Sequence, residues 1–438
     1  MIRLIEALNF RCLRYNAQPL ESFHVLLGPN ASGKTTFLDV VAFLGDLVTG
    51  DLEKAIDQRT RNFQDLVWRR EGERFELAIE AAIPEQRRRK LEHPEFALVR
   101  YEVAIGLDSA GGELGILAEK VLLKRNDRAA SPAQRTLFPK EPTPPGTIIS
   151  PKATRKVKTV VNKVAGGNDN FYDETGKGWD HAFKLGPRRS ALGNLPEDES
   201  KFPVATWLKG VLTEGVQRLV LNSALMRLPS PPGQPKHFRP NGSNLPWVVR
   251  RLKVDHPDRH ADWIAHLQTA LPDVVDVHTV ERPEDRHCYL TICYEGGLEV
   301  PSWTASDGTL RLLALTLPAY LVGLEGVYLI EEPENGIHPR AVETLFQSLS
   351  SVYDAQILVA THSPVILSVS EPSQVLCFSK TETGAADIVR GTDHPPLRDW
   401  QRETTLGVLF AGGVLGCWMG RTADGFAHLA DTTRGMDR

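Results

Sequence analysis

The spacing of hydrophobic and polar positions changes several times along the chain, and each spacing predicts a different element. Apolar residues alternate over Leu4–Phe10 and then form a short continuous run over Phe23–Leu27, which predicts two strands, the second of them buried. A helix is predicted over 35–44, followed by strands over 75–83 and 98–107. The N-terminal part is therefore predicted to be strands arranged around one helix.

The central part of the chain lacks these patterns at first. Residues 120–163 contain eleven Lys or Arg against two acids, and prolines cluster between 139 and 151. Apolar periodicity then returns and predicts helices over 204–226 and 247–271, with two strands within 274–300. We therefore predict a long basic insertion between two better-patterned parts.

The C-terminal part alternates between helical and strand patterns. From Leu310 the order is helix, strand over 327–330, helix, and strand over 356–360, which is typical of an α/β core. The sequence shows no internal repeat and no sustained heptads, so a long coiled-coil arm is not predicted. The predicted segments are 1–119 (first part of the core), 120–240 (inserted basic or lid region) and 241–438 (second part of the core).

Composition narrows the class of protein. The 438 residues are 41% hydrophobic and 24% charged with a net charge of −4, which is enough apolar material for a packed core. The chain as a whole is not a polycation, so any contact with nucleic acid needs a local basic patch. The five scattered cysteines show no metal-ligand spacing, since no second pair follows Cys288 and Cys293, and we predict buried reduced thiols.

No targeting or membrane segment is evident in the sequence. The chain opens Met1-Ile2-Arg3-Leu4-Ile5-Glu6, which lacks the pattern of a secretory signal. The longest uncharged apolar stretch, 312–324, has 13 residues and is too short to span a bilayer. We therefore expect a cytoplasmic protein without a membrane partner.

A phosphate-binding loop follows the second predicted strand and precedes the first predicted helix. Glycines let backbone N–H groups turn toward phosphates, and the helix N-terminus adds partial positive charge. Residues 28–35 fit the pattern G-x-x-x-x-G-K-[S/T], in which Lys34 reaches the β- and γ-phosphates of ATP and the Thr35 hydroxyl coordinates Mg²⁺. The predicted phosphate-binding residues are Gly28, Pro29, Asn30, Ala31, Ser32, Gly33, Lys34, Thr35 and Thr36.

Two carboxylates end the hydrophobic strand predicted at 327–330. A parallel strand beside the phosphate loop would bring Glu331 to the metal and Glu332 to the attacking water, which Glu332 would orient or deprotonate. The alternative is a solvated acidic turn. Glu331 stands where Asp is usual, so its longer side chain changes how the carboxylate approaches Mg²⁺.

Two further elements are candidates for contacts with the γ-phosphate. His362 follows the apolar strand at 356–360 and can hydrogen-bond that phosphate, although a lone histidine is more often structural. Ser306 and Gly308 lie directly before a predicted helix, where they form either a second anion site or simply a helix cap.

In this order, the four elements resemble those of ABC-type ATPases in the SMC, RecF and OLD-like branch, bacterial proteins often encoded in phage-defence operons. The resemblance implies an α/β fold, namely a P-loop NTPase head of the ABC type with a long inserted α+β lid or arm. It also implies that 305–309 is the signature motif, with Ser306 and Gly308 kept, that 334–339 is the D-loop, and that His362 is the switch histidine. Each ATP site would then be shared head to tail between two copies, in a homodimer or a higher even oligomer.

Two assignments rest on weaker patterns. Gln64 lies between the first helix and the next strand, where a glutamine that contacts metal and water would sit, but one Gln in a polar loop is unremarkable. The inserted region has a basic cluster that either grips the backbone of DNA or RNA or is a solvated loop, since aromatic residues for base stacking are missing from it. The cluster is Lys152, Arg155, Lys156, Lys158 and Lys163.

Three functions share these motifs. The first, a transporter subunit, usually has a short stretch between the phosphate loop and the acidic pair. It is disfavoured here because 297 positions separate Lys34 from Glu331. The branch also includes nucleases with a Toprim domain, for which the 76 residues after His362 leave no room. We therefore expect the ATPase component of an anti-phage defence system with a separate, nuclease-like effector. The alternative is a DNA-binding ATPase of repair or recombination, like RecF or SMC.

Overall fold

The computed structural model of the chain describes residues 1–108, 112–126, 135–151, 156–176, 178, 180–397, 405–413 and 415. The strands are β1 (Ile2–Phe10), β2 (Leu13–Pro19), β3 (Phe23–Leu27), β4 (Arg74–Ala82), β5 (Phe96–Leu107), β6 (Leu114–Arg125), β7 (Val157–Val164), β8 (Asp169–Phe171), β9 (His181–Phe183), β10 (Val216–Leu219), β11 (Val274–Glu281), β12 (Cys288–Tyr294), β13 (Glu299–Pro301), β14 (Gly326–Glu331), β15 (Ala355–Thr361), β16 (Val375–Lys380) and β17 (Ala386–Arg390). The helices are α1 (Lys34–Thr49), α2 (Leu52–Asp57), α3 (Glu85–Arg88), α4 (Pro203–Gly210), α5 (Ser223–Arg227), α6 (Leu245–Asp255), α7 (Pro257–Gln268), α8 (Asp307–Thr316), α9 (Pro339–Ser350), α10 (Pro364–Ser368) and α11 (Leu406–Ala411).

One large sheet, which we call the antiparallel sheet, has the order β2-β1-β4-β5-β6-β7-β8-β9. Its central strands are buried on both faces, since β4 and β5 hide almost every side chain. One face packs against α1, where Phe43 meets Phe75 with ring centroids 5.6 Å apart. On the other face Ile148 covers Leu8 and Ala78. The sheet therefore forms a wall behind the helix that follows the phosphate loop.

The second large sheet, which we call the parallel sheet, has the order β10-β14-β15-β3-β16-β17, with only β17 running antiparallel to its neighbour. The acidic strand β14 is parallel to the phosphate-loop strand β3, and β15 lies between the two and pairs with both of them. The loops after β3, β15 and β14 still leave the same edge of the sheet because the three strands are parallel.

The helix predicted over 204–226 is interrupted by a strand. After α4 the chain makes a π-helical turn over Val211–Gly215 and then forms β10, which pairs in parallel with β14 at the edge of the parallel sheet. Gly210 precedes this turn and Gly215 ends it, and both glycines weaken a continuous helix. Pairing with β14 therefore decides the conformation of 216–219.

The helix predicted over 247–271 is two helices. Pro257 begins α7, and His256 before it has φ −141° and ψ 66°, which is not helical. A residue that precedes proline is disfavoured in the helical region, so α6 ends there. Both helices pack on the small sheet, β11-β12-β13.

The inserted region does not stand apart from the core. β6 crosses the division predicted between residues 119 and 120, and β7, β8 and β9 continue the antiparallel sheet. β10, near the end of the insertion, joins the parallel sheet. Residues from 120–240 thus complete both large sheets. Every helix in the described part of the chain is too short or too polar to cross a lipid bilayer.

Candidate nucleotide site

The phosphate loop curves between the buried strand β3 and helix α1. Gly33 has φ 106°, in the left-handed region that glycine tolerates. A Cβ on Gly28 would lie 2.5 Å from the carbonyl oxygen of Phe378 on β16, so no larger residue fits there. Lys34 Nζ donates to the carbonyl oxygens of Gly28, at 2.6 Å, and Pro29, at 3.0 Å. The ammonium group therefore lies inside the curve of the loop.

The remaining residues of the predicted loop differ in exposure. Asn30 and Ala31 are exposed at its tip, whereas Ser32 is buried. Thr36 is half-buried and faces Cys12, a thiol whose pKa is raised by burial. Ser32 and Thr36 therefore contact the protein interior, whereas Asn30 and Ala31 face solvent.

Thr35 joins the phosphate loop to the acidic strand. Its Oγ1 donates to Glu331 Oε2 at 2.5 Å, although 296 positions separate the two residues. The other oxygen of this carboxylate accepts from Arg218 Nη2, also at 2.5 Å. Glu331 is 28% exposed and Arg218 is 53% exposed, so this group of side chains is open to solvent.

Glu332 turns away from Glu331 because of its backbone. It has φ 47°, which a glutamate adopts only at a cost of roughly 1–2 kcal/mol. Its N–H donates to Ala360 on β15 at 2.8 Å and so holds the turn against the neighbouring strand. The two consecutive carboxylates therefore point in different directions, and residues in such sparsely populated conformations concentrate at functional sites.

The Glu332 carboxylate meets a histidine and an amide. His362 Nδ1 lies 3.4 Å from Glu332 Oε1. Asn335 Nδ2 donates to Glu332 Oε2 at 2.5 Å. Both Glu332 and His362 are more than 40% exposed, so the pair is accessible. The structure thus brings together the acidic pair, the histidine and Thr35, from three strand ends.

The segment predicted as the signature motif caps helix α8. Ser306 Oγ accepts from Thr309 N–H at 3.1 Å, the geometry of a helix N-cap. A Cβ on Gly308 would lie 2.5 Å from the Gly336 carbonyl oxygen, so this helix start touches the predicted D-loop directly. Arg227 pairs with Asp307 on the same turn. The capping role of Ser306 is therefore present, and its predicted contact with a partner's ATP stays a prediction.

Gln64 lies in a 3-10 turn over Phe63–Leu66. Its side-chain oxygen is buried and accepts no hydrogen bond from any residue that the structure describes. None of the hydrogen bonds described for Gln64 reaches Thr35 or Glu331. Its place in the metal shell stays a prediction.

Arg218 and Asn335 contact the two carboxylates, and sequence reasoning gave neither of them a role. The contact of Arg218 was not predicted because 204–226 has the pattern of one helix. In the structure β10 aligns Arg218 beside Leu329, two residues before Glu331. Asn335 lies in the predicted D-loop, three residues after Glu332, and that spacing is the only sequence signal for its contact.

The basic cluster of the inserted region is partly used within the protein. Lys152 and Arg155 lie outside the described residues. Lys163 is buried and paired with Asp169 at 2.7 Å, and Lys158 is paired with Glu92 at 2.8 Å. Both lie on β7, so neither of the predicted alternatives, a solvated loop or a free phosphate-gripping cluster, describes them.

One protein family matches most of the chain. A family model described as "AAA domain, putative AbiEii toxin, Type IV TA system" matches residues 23–368. No curated protein matches the sequence. The match includes β3, β10, β14 and β15 of the parallel sheet and ends before β16 and β17.

Solved structures with a similar fold are heads of SMC proteins. The crystal structure of an SmcHead bound to the C-winged helix domain of ScpA matches with TM-score 0.51 and 12% identity, covering 89% of this chain and 96% of that one. For the Smc head domain from Pyrococcus furiosus, the TM-score is 0.48 and the identity is 12%, with 89% of this chain and 95% of that one covered. For the SMC head domain from Thermotoga maritima, the TM-score is 0.38 and the identity is 10%, with 89% of this chain and 98% of that one covered.

These matches confirm the predicted resemblance and the predicted α/β fold of the P-loop ATPase head. With most of its length matched by one family model, the chain belongs to the AAA domain family of the AbiEii toxin type.

Proposed function

We propose that the chain is an ATP-binding and ATP-hydrolysing switch that uses Mg²⁺. The observation that carries this proposal is the 2.5 Å contact between Thr35 Oγ1 and Glu331 Oε2. Phosphate loops hold Mg²⁺ through a hydroxyl of this kind and a carboxylate at the end of a neighbouring strand. Hydroxyl and carboxylate oxygens are the ligands that Mg²⁺ prefers, so the residues present fit the ion.

The roles of the side chains follow from their positions. Lys34 and the backbone N–H groups of the loop would bind the phosphates, and Thr35 with Glu331 would hold the ion. When bound, Mg²⁺ would neutralise charge on the phosphate oxygens. Glu332 would accept a proton from the attacking water, and His362, 3.4 Å from that carboxylate, would donate a hydrogen bond to the γ-phosphate.

Two copies would complete each site. The start of α8 offers a second helix N-terminus with a hydroxyl, which suits a phosphate, while α1 already provides one for the nucleotide bound by the same chain. Ser306 is exposed, so a second copy can reach it. We therefore place Ser306 and Gly308 over the ATP of the partner in a head-to-tail homodimer or a higher even oligomer.

The cellular role that we favour is anti-phage defence in the cytoplasm, with a separate effector protein. The description of the matching family, which names a toxin and a type IV TA system, supports a role of this kind. The alternative is a DNA-binding ATPase in repair or recombination. It has weaker support because Lys158 and Lys163 are paired with acids and leave fewer cations for a DNA or RNA backbone.

A mixing experiment tests the shared site. Lys34→Ala removes phosphate binding in its own copy, whereas Ser306→Arg blocks the surface that would cover the partner's ATP. Each variant alone should be nearly inactive. In a mixed dimer both defects fall on one site and the other is intact, so ATP turnover should return to at most about half of the wild-type rate, the limit without coupling between sites.

Controls separate this result from misfolding. Ser306→Ala removes the helix cap without adding bulk, so it reports the cost of the lost cap alone. Heterodimers are verified by mass, and ATP binding is measured beside turnover. Full activity of Ser306→Arg alone, or verified heterodimers that bind ATP at the intact site without turnover, would refute the shared site.

A further inference from the structure

The small sheet brings together three side chains that no motif connects. Cys293 lies on the central strand β12, Glu299 is its register partner on β13, and His278 lies on β11 opposite Thr291. Their ligand atoms, one sulfur, one nitrogen and one carboxylate oxygen, all lie within 4.8 Å of one another. Three adjacent strands therefore contribute one metal-binding atom each.

The group lies on the outer face of the small sheet. Ile292 and Leu290, the neighbours of Cys293 on the opposite face, belong to the hydrophobic core. His278 and Cys293 are half-buried and Glu299 is exposed. Solvent can therefore reach the group from one side while its sulfur and nitrogen are partly shielded.

We propose that His278, Cys293 and Glu299 form a site for a divalent transition-metal ion of the Zn²⁺ class, separate from the proposed Mg²⁺ site. A thiolate, an imidazole and a carboxylate are ligands that Zn²⁺ takes, usually in tetrahedral geometry. At Zn–ligand distances near 2.0–2.3 Å, tetrahedral ligand atoms lie about 3.5 Å apart. Cys293 Sγ and His278 Nδ1 are 3.2 Å apart, so these two need almost no movement.

Local charge also favours a cation at this position. Two carboxylates, those of Glu299 and Asp276, lie close enough to the Cys293 sulfur to act on its charge. A divalent ion would offset the negative charge of these carboxylates and of the coordinating thiolate. Lys253, which pairs with Asp276 at 2.6 Å, is the cation among the charged groups that act on Cys293.

The fourth position stays open to water, since this set provides three protein ligands. A thiolate ligand selects softer ions than Mg²⁺, which prefers oxygen. No sequence pattern indicates this site, because His278, Cys293 and Glu299 lack the short, repeated spacing of known zinc motifs. The pairing of the strands alone brings them together.

Titration of the purified full-length chain with Co²⁺, a coloured substitute for Zn²⁺, tests the site. Wild type should show the ultraviolet charge-transfer band of a Co²⁺–thiolate bond. Cys293→Ser should abolish that band, and His278→Ala should weaken affinity by at least about 10–100-fold, the loss typical of disturbing even an outer-shell group. Zn²⁺ should displace Co²⁺, whereas excess Mg²⁺ should not.

Matched variants exclude misfolding and nonspecific binding. Cys288→Ser removes a buried thiol from the same strand and should keep the band. Glu299→Gln changes only an exposed ligand and should weaken Co²⁺ affinity without lowering the melting temperature of the metal-free protein. No band in wild type, or an equal loss in Cys288→Ser and Cys293→Ser, would show that Cys293 and His278 share only a hydrogen bond. ATP turnover is independent of this outcome, so the two proposals fail separately.

Discussion

The carboxylates of the two large sheets are held in opposite ways. In the antiparallel sheet Glu119 is fully buried, and its oxygens accept from four donors, namely the hydroxyls of Tyr101 and Ser190 and the N–H groups of Ala191 and Leu192. At the edge of the parallel sheet Glu332 is 42% exposed and bonds to side chains that can rotate. The first arrangement fixes a structure, whereas the second leaves oxygens accessible to water and ligand.

A carboxylate with a shifted pKa is not for that reason a catalytic group, as Glu174 shows. Burial raises the pKa of Glu174 to about 7, yet its oxygens accept from the N–H groups of Val204 and Ala205 at the start of α4. Glu174 therefore holds a helix start in place. The acids with proposed roles in ATP hydrolysis lie instead at strand ends of the parallel sheet.

The largest effect should come from Glu332→Gln. Losing the group that orients or deprotonates water should lower ATP turnover by about 10²–10⁴-fold, while ATP binding is kept. Turnover and binding are measured in parallel. Glu343→Gln, an exposed acid on α9, is the matched control and should behave as wild type. If Glu332→Gln hydrolyses ATP at the normal rate, accessible acids of the parallel sheet are no more functional than buried ones.

Glu174→Gln should change stability and leave turnover unchanged. In the folded protein the pKa of Glu174, about 7, exceeds its usual value of 4.5, so the folded state holds this proton more tightly than the unfolded state. The contribution of Glu174 to stability is therefore lost as pH rises from about 4.5 to about 7, by at most about 3 kcal/mol.

Denaturant unfolding across that pH range measures this effect. Glu174→Gln should flatten the decline in unfolding free energy between pH values of about 4.5 and 7. The exposed acid Glu284, replaced by Gln, serves as the control and should leave the decline as it is in wild type. An unchanged slope in Glu174→Gln would mean that Glu174 is not the group responsible.

The smallest effect should come from Arg218→Ala. The Arg218 guanidinium donates to one oxygen of the Glu331 carboxylate, and Mg²⁺ would bind the same carboxylate in the proposed site. The pair is largely exposed and is worth about 0.2–1 kcal/mol, so its removal should tighten Mg²⁺ binding by roughly 1.4-fold to fivefold. Arg218→Lys keeps the charge and is the control. Weaker Mg²⁺ binding in Arg218→Ala would instead make Arg218 a support of the ion.

Much of the proposed nucleotide site, at the edge of the parallel sheet, was predictable from the sequence. The strand–loop–helix order around Lys34 and the hydrophobic strand before Glu331 follow from local patterns that hold in any context. Parallel pairing then fixes which loops meet, as the contact between Thr35 and Glu331 shows. These features need only the local pattern and the handedness of parallel connections.

Other features depend on distant partners. β10 forms because Val216–Leu219 pairs with β14, more than a hundred positions later, and the same residues read locally as a helix. Lys163 has a basic sequence context, but a buried partner, Asp169, neutralises it. The order of β3, β15 and β14 likewise cannot be deduced from any single strand.

The close approach of Gly308 to Gly336 has a mechanical consequence. Since even a methyl group does not fit between them, the start of α8 and the predicted D-loop pack directly against each other. Arg311 adds a second link, a 3.3 Å hydrogen bond to the Asn335 carbonyl oxygen. A displacement of the exposed start of α8 would therefore move the backbone of Asn335, whose side-chain amide donates to the Glu332 carboxylate.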